Sequence, residues 1–326
     1  MDAVLEISDL RAYYHERDRT VKAVDGVDLA LTTGRVLCIV GESGCGKTTL
    51  ALALLGLLPQ NGRVASGRAL FEDRDLLTLS GNDLRTVRGR RISMIFQDPV
   101  SGLNPVLAIG AQVGEIIRTH LSVSKQDARR MTLQALRAQG LPEPERIASA
   151  YPFQLSGGMC QRVMIAIATV LEPAVIIADE PTSSLDVTMQ AAILHELDDL
   201  RRRTGMALLL ITHDLGVVAG IADEVAVMYA GRIVEYGSTA DVYGRPQHPY
   251  TAALMAARPR LDEPDRRLTQ IRGAAPDLAT LTGECAFVPR CPKALNQCRS
   301  DPWPELQERA PSHSTACYNP VYYAEA

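Results

Sequence analysis

Long apolar runs, a secretory leader and an excess of basic charge are all absent from this chain of 326 residues. Its longest apolar runs, such as residues 51–58 and 207–211, are far shorter than the roughly 18 residues that cross a bilayer. The first residues show no basic stretch leading into an apolar core, so we expect neither a membrane-spanning nor a secreted chain. With 34 basic against 38 acidic side chains, the charge balance gives no reason to expect a nucleic-acid partner.

Cysteine is sparse until the C-terminal end of the chain. Three of the seven cysteines are scattered over the first half and four crowd the tail: Cys38, Cys45 and Cys160, then Cys285, Cys291, Cys298 and Cys317. Without a secretion signal a disulfide framework is a poor default. A metal or cluster site in the tail therefore has to be considered.

Apolar patterns along the chain predict strands that alternate with helices. Residues 4–14 and 27–31 alternate apolar and polar side chains, as half-buried antiparallel strands do. Residues 48–58, between a glycine-rich turn and Pro59, predict a buried helix. Short apolar runs predict further strands at residues 35–40, 92–96, 175–178, 207–211 and 224–228. This alternation indicates an α/β fold with a mainly parallel sheet.

Two stretches depart from this alternation. From about residue 98 to 150, segments at helical spacing (110–119 and 125–139) predict a mostly helical insert. After about residue 255, proline, polar residues and the four tail cysteines predominate, which indicates a separate C-terminal extension. At roughly 150 residues per domain, the length allows about two domains.

One glycine-rich turn carries the strongest chemical signal. Residues 41–48 read GESGCGKT, which matches G-x-x-x-x-G-K-[ST] at every fixed position, after an apolar strand and at the start of a helix. Glycines let successive backbone N–H groups point at phosphate oxygens, and the helix N-terminus adds a favourable dipole. Lys47 is expected to reach the outer phosphates and Thr48 to offer its hydroxyl to Mg²⁺. The alternative is an ordinary glycine turn before a helix.

Two adjacent carboxylates follow the apolar run at residues 174–178. Open α/β sheets bind ligands at the carboxyl ends of their strands. Asp179 is therefore expected to hold Mg²⁺ through water, and Glu180 to polarise the water that attacks the γ-phosphate. In the alternative interpretation, Asp-Glu-Pro only ends a strand and caps a helix.

A second helix start suited to anions lies at residues 155–162, LSGGMCQR. Ser156 is a good N-cap, and Gly157 and Gly158 expose backbone N–H groups at the positive end of an apolar helix. Two such helix starts in one chain suggest that one of them serves a nucleotide held by another subunit. Taken alone, Ser-Gly-Gly is also a common loop.

These motifs, with Gln97, SLD at 184–186 and THD at 212–214, stand in the order found in ATP-binding subunits of ABC transporters. Residues 4–240 resemble that family. The resemblance implies an ABC-type P-loop NTPase: an α/β fold with a mainly parallel sheet, an antiparallel β subdomain, a helical insert and a small cysteine-containing extension. It implies an ATP-binding domain over residues 1–255, with a helical subdomain at about 98–165, and an extension over 256–326.

The resemblance also gives each motif residue a role. The residues expected to be catalytic are Lys47, Gln97, Glu180 and His213, of which His213 contacts the γ-phosphate and Gln97 senses Mg²⁺ and the attacking water. Mg²⁺ is expected on Thr48, Gln97 and Asp179. Tyr14 is expected to stack on adenine, with Tyr13 as its local rival. The other nucleotide contacts within the chain are expected from Gly41, Ser43, Gly44, Cys45, Gly46, Lys47, Thr48, Thr49, Gln97 and Asp179.

Two subunits of this family pack head to tail, so that ATP on the loop of one faces the LSGGMCQR helix of the other. Contacts in trans are accordingly expected from Ser156, Gly157, Gly158, Gln161 and Asp186. Cys45 and Cys160 lie inside the two phosphate-binding motifs. We interpret both as small packing residues rather than redox sensors.

Three segments resemble the dipeptide and oligopeptide (peptide/nickel) importer branch: FQDP at 96–99 running into LNP at 103–105, HPYT at 248–251, and the cysteine tail. That branch implies a second, similar but non-identical ATP-binding subunit, two integral membrane permease subunits and an extracytoplasmic solute-binding protein. We expect an ATPase on the cytoplasmic face of the inner membrane that energises import of di- or oligopeptides. The alternatives are the same motor serving nickel, glutathione or another small solute, and a soluble ABC ATPase without a transport role.

The tail cysteines are separated by five, six and eighteen residues, unlike zinc ribbons or the usual ferredoxin run. The resemblance implies a [4Fe–4S] cluster on Cys285, Cys291, Cys298 and Cys317. Zn²⁺, free thiols and disulfides are the alternatives. Such a site is expected to be structural or regulatory, because nothing in the phosphate chemistry needs it.

Overall fold

The computed structural model describes residues 2–183, 186–257 and 270–323. Ser184 and Leu185, which belong to the predicted SLD motif, lie outside the described residues. The chain divides into two compact units. The first unit comprises Met1–Val4, Leu31–Arg35 and Thr78–Ile211, and the second unit comprises Leu5–Ala30, Val36–Leu77 and Thr212–Ala326.

Strands and helices alternate through most of the described residues. The strands are β1 (Ala3–Glu16), β2 (Arg19–Thr32), β3 (Val36–Val40), β4 (Gly62–Phe71), β5 (Arg74–Asp75), β6 (Ile92–Ile95), β7 (Val175–Asp179), β8 (Ala207–Thr212), β9 (Glu224–Tyr229), β10 (Arg232–Ser238), β11 (Gln307–Ala310) and β12 (His313–Thr315). The α-helices are α1 (Lys47–Leu54), α2 (Gly81–Val87), α3 (Ile109–His120), α4 (Lys125–Ala138), α5 (Pro144–Ser149), α6 (Gly157–Thr169), α7 (Val187–Thr204), α8 (Leu215–Ile221), α9 (Thr239–Gly244), α10 (Pro249–Ala257) and α11 (Gln297–Ser300).

The second unit contains two sets of paired strands. One is a four-stranded sheet in the order β2-β1-β4-β5, in which β1–β4 and β4–β5 are antiparallel. In the other set β3 pairs with β9 in parallel, whereas β9–β10, β10–β12 and β11–β12 are antiparallel. All of β3 is buried, as its unbroken apolar run predicts. The glycine-rich turn therefore follows a fully buried strand.

The first unit combines parallel strands with a group of helices. β6 pairs with β7 and β7 with β8, both in parallel, and β7 and β8 are buried along their whole length. Helices α3 and α4 occupy the stretches predicted to be helical at 110–119 and 125–139. The predicted α/β fold class, with parallel strands, an antiparallel β sheet and a helical insert, is confirmed.

Several elements differ from the sequence-based expectation, which includes neither β10 nor the strands β11 and β12 of the extension. The helix predicted over residues 48–58 ends at Leu54, because Gly56 adopts a left-handed φ of 58° and turns the backbone. Leu57 is consequently 39% exposed rather than buried. The apolar pattern also misses β4, because that strand buries few residues except at its C-terminal end.

The C-terminal extension packs against other parts of the second unit. β12 pairs with β10, and buried His313 Nε2 lies 2.7 Å from buried Glu235 Oε1. The Phe287 ring lies 5.3 Å from that of Tyr229 and 5.5 Å from that of Tyr250, measured between centroids. The described part of the extension thus shares a core with strands beside the glycine-rich turn, while the domain boundaries stay predictions. Among the described residues, no helix is both long and apolar enough to traverse a bilayer.

Candidate active site

Residues 41–48, which connect β3 to the start of α1, form the predicted phosphate loop, called the phosphate loop below. Two of its glycines are required by close backbone approaches. A Cβ on Gly46, whose φ is 110°, would lie 2.0 Å from the carbonyl oxygen of Ala23. A Cβ on Gly41 would lie 2.2 Å from the carbonyl oxygen of Met228. A side chain at either position would therefore force the loop out of this conformation.

Lys47 is folded over the phosphate loop. Its side chain is buried, and its Nζ donates to Gly41 O at 2.8 Å and to Glu42 O at 3.0 Å. Ser43, Gly44 and Thr48 are exposed at the same loop. An ammonium group held by loop carbonyls, beside an exposed hydroxyl, suits a phosphate that carries a divalent cation.

The cysteines of the two phosphate-binding motifs are both buried. Burial raises the pKa of the Cys45 thiol and of the Cys160 thiol, so both stay protonated and unreactive at neutral pH. The Cys160 thiol lies 3.5 Å from Pro152 O. These surroundings support the packing interpretation.

Tyr13 and Tyr14 have different surroundings. The Tyr13 hydroxyl donates to Asp25 Oδ1 at 2.6 Å, and that carboxylate also pairs with two arginines. The Tyr14 hydroxyl lies 3.1 Å from Thr49 Oγ1, in the first turn of α1. Tyr14 is therefore the tyrosine whose hydroxyl lies beside the start of α1.

Asp179 and Glu180 end β7 in the first unit. Asp179 is 2% exposed. Glu180 adopts a left-handed φ of 46° and donates its backbone N–H to Ile211 O at 2.8 Å. A non-glycine residue held there costs about 1–3 kcal/mol, and such strain clusters at functional sites. The Glu180 carboxylate accepts a hydrogen bond from Gln97 Nε2 at 3.2 Å, so the structure brings two predicted catalytic side chains together.

The helix start at residues 155–162 opens α6 in the first unit and is called the signature helix start. Ser156 caps the helix by accepting a hydrogen bond from Met159 N at 3.3 Å. Ser156 and Gly157 are exposed and Gly158 is half-buried, which leaves backbone N–H groups accessible. Gln161 is buried in this chain, with its side chain 1% exposed, and its contact in trans stays a prediction.

Asp186 and His213 lie at the ends of elements. Asp186 is exposed and caps α7, accepting from Thr188 N and Met189 N at 3.0 Å each. His213 is exposed directly after β8, and Asp214 next to it caps α8 by accepting from Gly216 N at 2.7 Å. Both predicted residues are therefore accessible to an outside group.

The four tail cysteines line one small cavity in the second unit, together with His248 and Phe287. All seven cysteines are free thiols. Burial raises the pKa of Cys285 to about 11 and that of Cys317 to about 12. Across the described ranges, no group of three or more His, Cys, Asp or Glu side chains is placed to hold a metal ion. Cysteine thiolates are the usual ligands of iron–sulfur clusters. In this structure, however, the four thiols line the cavity without forming a group placed to hold a metal ion.

Sequence reasoning missed the surroundings of Glu42 inside the phosphate loop. Its carboxylate pairs with Arg290, and its backbone N–H donates to the Tyr250 hydroxyl. Tyr250 stands in the HPYT segment, which gave a signal only by resemblance. Arg290 stands in the cysteine tail, which also resembled the importer branch, but its contact with Glu42, 248 residues away, gave no signal.

Comparison with known proteins places this protein among ATP-binding cassettes. A family model described as ABC transporter matches residues 24–183, and one described as Oligopeptide/dipeptide transporter, C-terminal region, matches residues 234–298. The dipeptide transport ATP-binding protein DppD of Bacillus subtilis is 45% identical over 98% of this chain and 95% of its own length. The oligopeptide transport ATP-binding protein OppD of Escherichia coli is 46% identical over 98% of this chain and 94% of its own.

Solved structures agree with this placement. The dimeric ATP-binding cassette MJ0796, in a post-hydrolysis state bound to ADP and Pi, superposes with a TM-score of 0.66 and 26% identity, covering 72% of this chain and 98% of its own. The cbiO1 protein of Clostridium perfringens gives a TM-score of 0.63 and 28% identity, covering 75% and 92%. The chain therefore belongs to the ABC transporter family and combines its ATP-binding domain with the oligopeptide/dipeptide transporter C-terminal region.

Proposed function

We propose that the protein is the ATP-hydrolysing subunit that drives an importer of dipeptides or oligopeptides. Curated relatives that match almost the whole chain are transport ATP-binding proteins for these solutes. The observation that supports hydrolysis most directly is the Glu180 carboxylate, held in a strained backbone position and hydrogen-bonded to Gln97. A carboxylate positioned in this way suits a general base for the attacking water.

In the proposed ATP site, the phosphate loop offers its N–H groups and Lys47 to the phosphates, and Tyr14 stacks on the base. Thr48, Gln97 and Asp179 are the residues proposed to hold Mg²⁺. Hydroxyl, amide and carboxylate oxygens fit this hard cation. When bound, Mg²⁺ neutralises charge that develops on the phosphates.

The chemical step needs a water aimed at the γ-phosphate. We assign its polarisation to Glu180, its orientation to Gln97, and a contact with the γ-phosphate to His213. A positioned general base contributes about 10²–10⁴-fold to rate, and the rest comes from positioning and charge neutralisation.

A second, similar ATP-binding subunit is proposed to complete the site. Ser156, Gly157, Gly158 and Asp186 are the residues offered to the nucleotide of that partner, and their exposure supports the assignment. MJ0796, a relative in fold, forms a dimer with ADP and Pi bound. A non-identical partner is proposed, as the branch resemblance implies.

Integral membrane permease subunits are the other proposed partners, with an extracytoplasmic solute-binding protein beyond them. The segment around and after Gln97 supports a protein contact, because it exposes several large apolar side chains: Phe96, Val100, Val106 and Leu107. Exposed apolar groups concentrated in this way mark interaction sites. The protein is accordingly proposed to lie on the cytoplasmic face of the membrane.

The Glu180→Gln variant tests the ATPase assignment. It removes the base and keeps the shape, so we expect ATP binding to persist and hydrolysis to fall by about 10²-fold or more. Glu172→Gln is a matched control, since Glu172 is an exposed glutamate that also has a left-handed φ, of 49°. Phosphate release at the parent rate in Glu180→Gln would refute the assignment.

Peptide uptake by cells that lack this protein tests the solute. We expect loss of uptake of a labelled dipeptide or oligopeptide, restored by the parent protein and not by Glu180→Gln. If uptake of nickel or glutathione is lost instead, the ATPase energises import of that solute rather than of peptides. Recovery of the protein without any membrane subunit would favour a soluble ATPase.

We also propose that Cys285, Cys291, Cys298 and Cys317 hold a [4Fe–4S] cluster. The support is that four thiols line one cavity. Iron and acid-labile sulfide content of the protein purified without oxygen tests this, and Cys298→Ser is expected to lower both while ATP binding persists. Zinc in place of iron and sulfide would establish the other metal, and metal-free protein would refute both.

A further inference from the structure

Glu42, the second residue of the phosphate loop, is held at its carbonyl oxygen, its backbone N–H and its carboxylate. Its carbonyl oxygen accepts from Lys47 Nζ at 3.0 Å, and its backbone N–H donates to the Tyr250 hydroxyl at 2.9 Å. Its carboxylate forms a two-point ion pair with Arg290, with N–O distances of 2.6 and 2.8 Å. The contacts with the backbone N–H and with the carboxylate therefore come from residues that follow β10 in the sequence.

Arg290 is itself fixed on several sides. Its side chain is only 5% exposed. Its Nε donates to Arg272 O at 2.9 Å and its Nη1 to the Tyr229 hydroxyl at 3.3 Å, and its guanidinium lies 6.0 Å from the Phe287 ring centroid. A planar guanidinium that meets a carboxylate at two points is a directional contact. The Arg290–Glu42 pair is thus unlike the exposed ion pairs that contribute little.

The segment that supplies Arg290 is the cysteine-rich one. Arg290 ends a short 3-10 turn, Val288–Arg290, and Cys291 follows it immediately. Phe287, at the start of this turn, packs against Tyr229 and Tyr250. The extension therefore reaches the phosphate loop through a packed aromatic cluster and one buried cation.

A carboxylate in this loop has an electrostatic consequence. Glu42 is the only acidic residue among residues 41–48, in the loop that binds the negatively charged phosphates in our proposed function. An unpaired carboxylate would repel the triphosphate, since like charges several ångströms apart interact by more than kT at the protein surface. A carboxylate that is paired with Arg290 does not repel the triphosphate in this way. The backbone carbonyl of Glu42 still accepts the hydrogen bond from Lys47.

We propose that Arg290 is a positioning residue for ATP binding, which acts through Glu42: it neutralises the acidic side chain of the phosphate loop and fixes the loop backbone. The cysteine-rich extension is then a structural part of the nucleotide site. This inference rests on the proposed ATP-binding function and deepens it.

A double-mutant cycle between Glu42 and Arg290 tests the proposal. Arg290→Gln leaves the carboxylate unpaired, so we expect ATP affinity to fall about tenfold, with a matching rise in KM for ATP and kcat changed less than about twofold. Glu42→Gln combined with Arg290→Gln leaves no unpaired charge, so most of the lost affinity is expected to return. A residue that only supports the fold would not show this rescue.

His313→Gln is the matched control, because the buried His313 side chain makes another contact of the extension, with Glu235 and Gln247 rather than with the phosphate loop. It is expected to lower the free energy of unfolding and leave ATP affinity unchanged. Parent affinity in Arg290→Gln, or a double variant as weak as Arg290→Gln, would overturn the proposal.

If Arg290→Gln does not fold, the double variant is compared directly with the parent. ATP affinity within about threefold of the parent supports the proposal, and a loss of about tenfold overturns it. Failure of the parent protein itself to bind ATP would refute the proposed function instead, so the two failures are distinguishable.

Discussion

The phosphate loop and the signature helix start are both helix N-termini suited to anions, yet their surroundings are opposite. In the phosphate loop, Gly41 and Gly46 are pressed against backbone carbonyls, and Lys47 bonds to the carbonyls of the loop itself. In the signature helix start, a Cβ on Gly157 would meet nothing within 4 Å. The phosphate loop is thus enclosed by residues of its own subunit, whereas the signature helix start is open to solvent.

This difference explains what glycine does in each motif. At Gly41 and Gly46 of the phosphate loop, glycine is required by the fold, because there is no room for a methyl group. At Gly157 the fold has room, so any requirement for glycine comes from a group outside the subunit. The comparison thus separates ATP binding, which the proposed mechanism gives to the single subunit, from hydrolysis, for which it needs the partner.

The largest expected effect comes from alanine at the two glycines. Gly46→Ala forces a Cβ onto Ala23 O, so we expect ATP binding to be lost and the free energy of unfolding to fall by about 1–3 kcal/mol. Gly157→Ala is expected to leave ATP binding by the isolated subunit and its stability unchanged. In the assembled dimer it should lower hydrolysis by about tenfold or more, because the added methyl group keeps the partner's phosphates away from the N–H donors of this helix start.

Nucleotide titration of the isolated subunit, urea unfolding and phosphate release by the assembly measure these three quantities. Equal loss of ATP binding in Gly46→Ala and Gly157→Ala would remove the distinction between the two helix starts.

A smaller effect separates capping from catalysis at Ser156. Ser156→Ala and Ser124→Ala each remove a hydroxyl that accepts a backbone N–H at the start of a helix, at 3.3 and 3.1 Å. Each is expected to lower the free energy of unfolding by about 1 kcal/mol. Only Ser156→Ala is expected to slow hydrolysis by the dimer. Equal ATPase rates in the two variants would show that Ser156 only caps its helix and takes no part in hydrolysis.

The smallest expected effect concerns the cysteine of each motif. Burial raises the pKa of Cys45 and Cys160 above their ordinary value of 9.0. Above that pH the unfolded protein loses thiol protons that the folded protein keeps, so the free energy of unfolding falls as pH rises past about 9. Urea unfolding between pH 8 and 10 measures this fall. In the double variant Cys45→Ser/Cys160→Ser, the free energy of unfolding should fall less steeply with pH. An identical slope would contradict the raised pKa of the two thiols.

The candidate site was predictable where a motif is local. The fixed spacing of glycines, Lys47 and Thr48 specifies a loop because backbone geometry leaves few other ways to present N–H groups to phosphate. An apolar run followed by Asp179 and Glu180 likewise places carboxylates at a strand end. The hydrogen bond between Gln97 and Glu180 is consistent with the family-based assignment of both residues.

The sequence pattern is insufficient where burial decides. Gln161 stands inside the motif and is nevertheless buried, because five residues along α6 place it on a different face of the helix from that of the exposed Ser156. The predicted helix end at residue 58 is wrong, because Gly56 takes a left-handed conformation that apolar neighbours do not reveal. Strand β4 carries too few buried residues to show an alternating pattern.

The sequence by itself determined the phosphate loop, the strand-end carboxylates and the family, because these depend on residue type at short fixed spacings. Only the tertiary structure decided that the extension reaches the phosphate loop through Arg290 and Glu42. No local pattern encodes a contact between residues 248 positions apart. It exists because β-strand pairing and aromatic packing bring distant segments together and leave one buried cation beside one carboxylate.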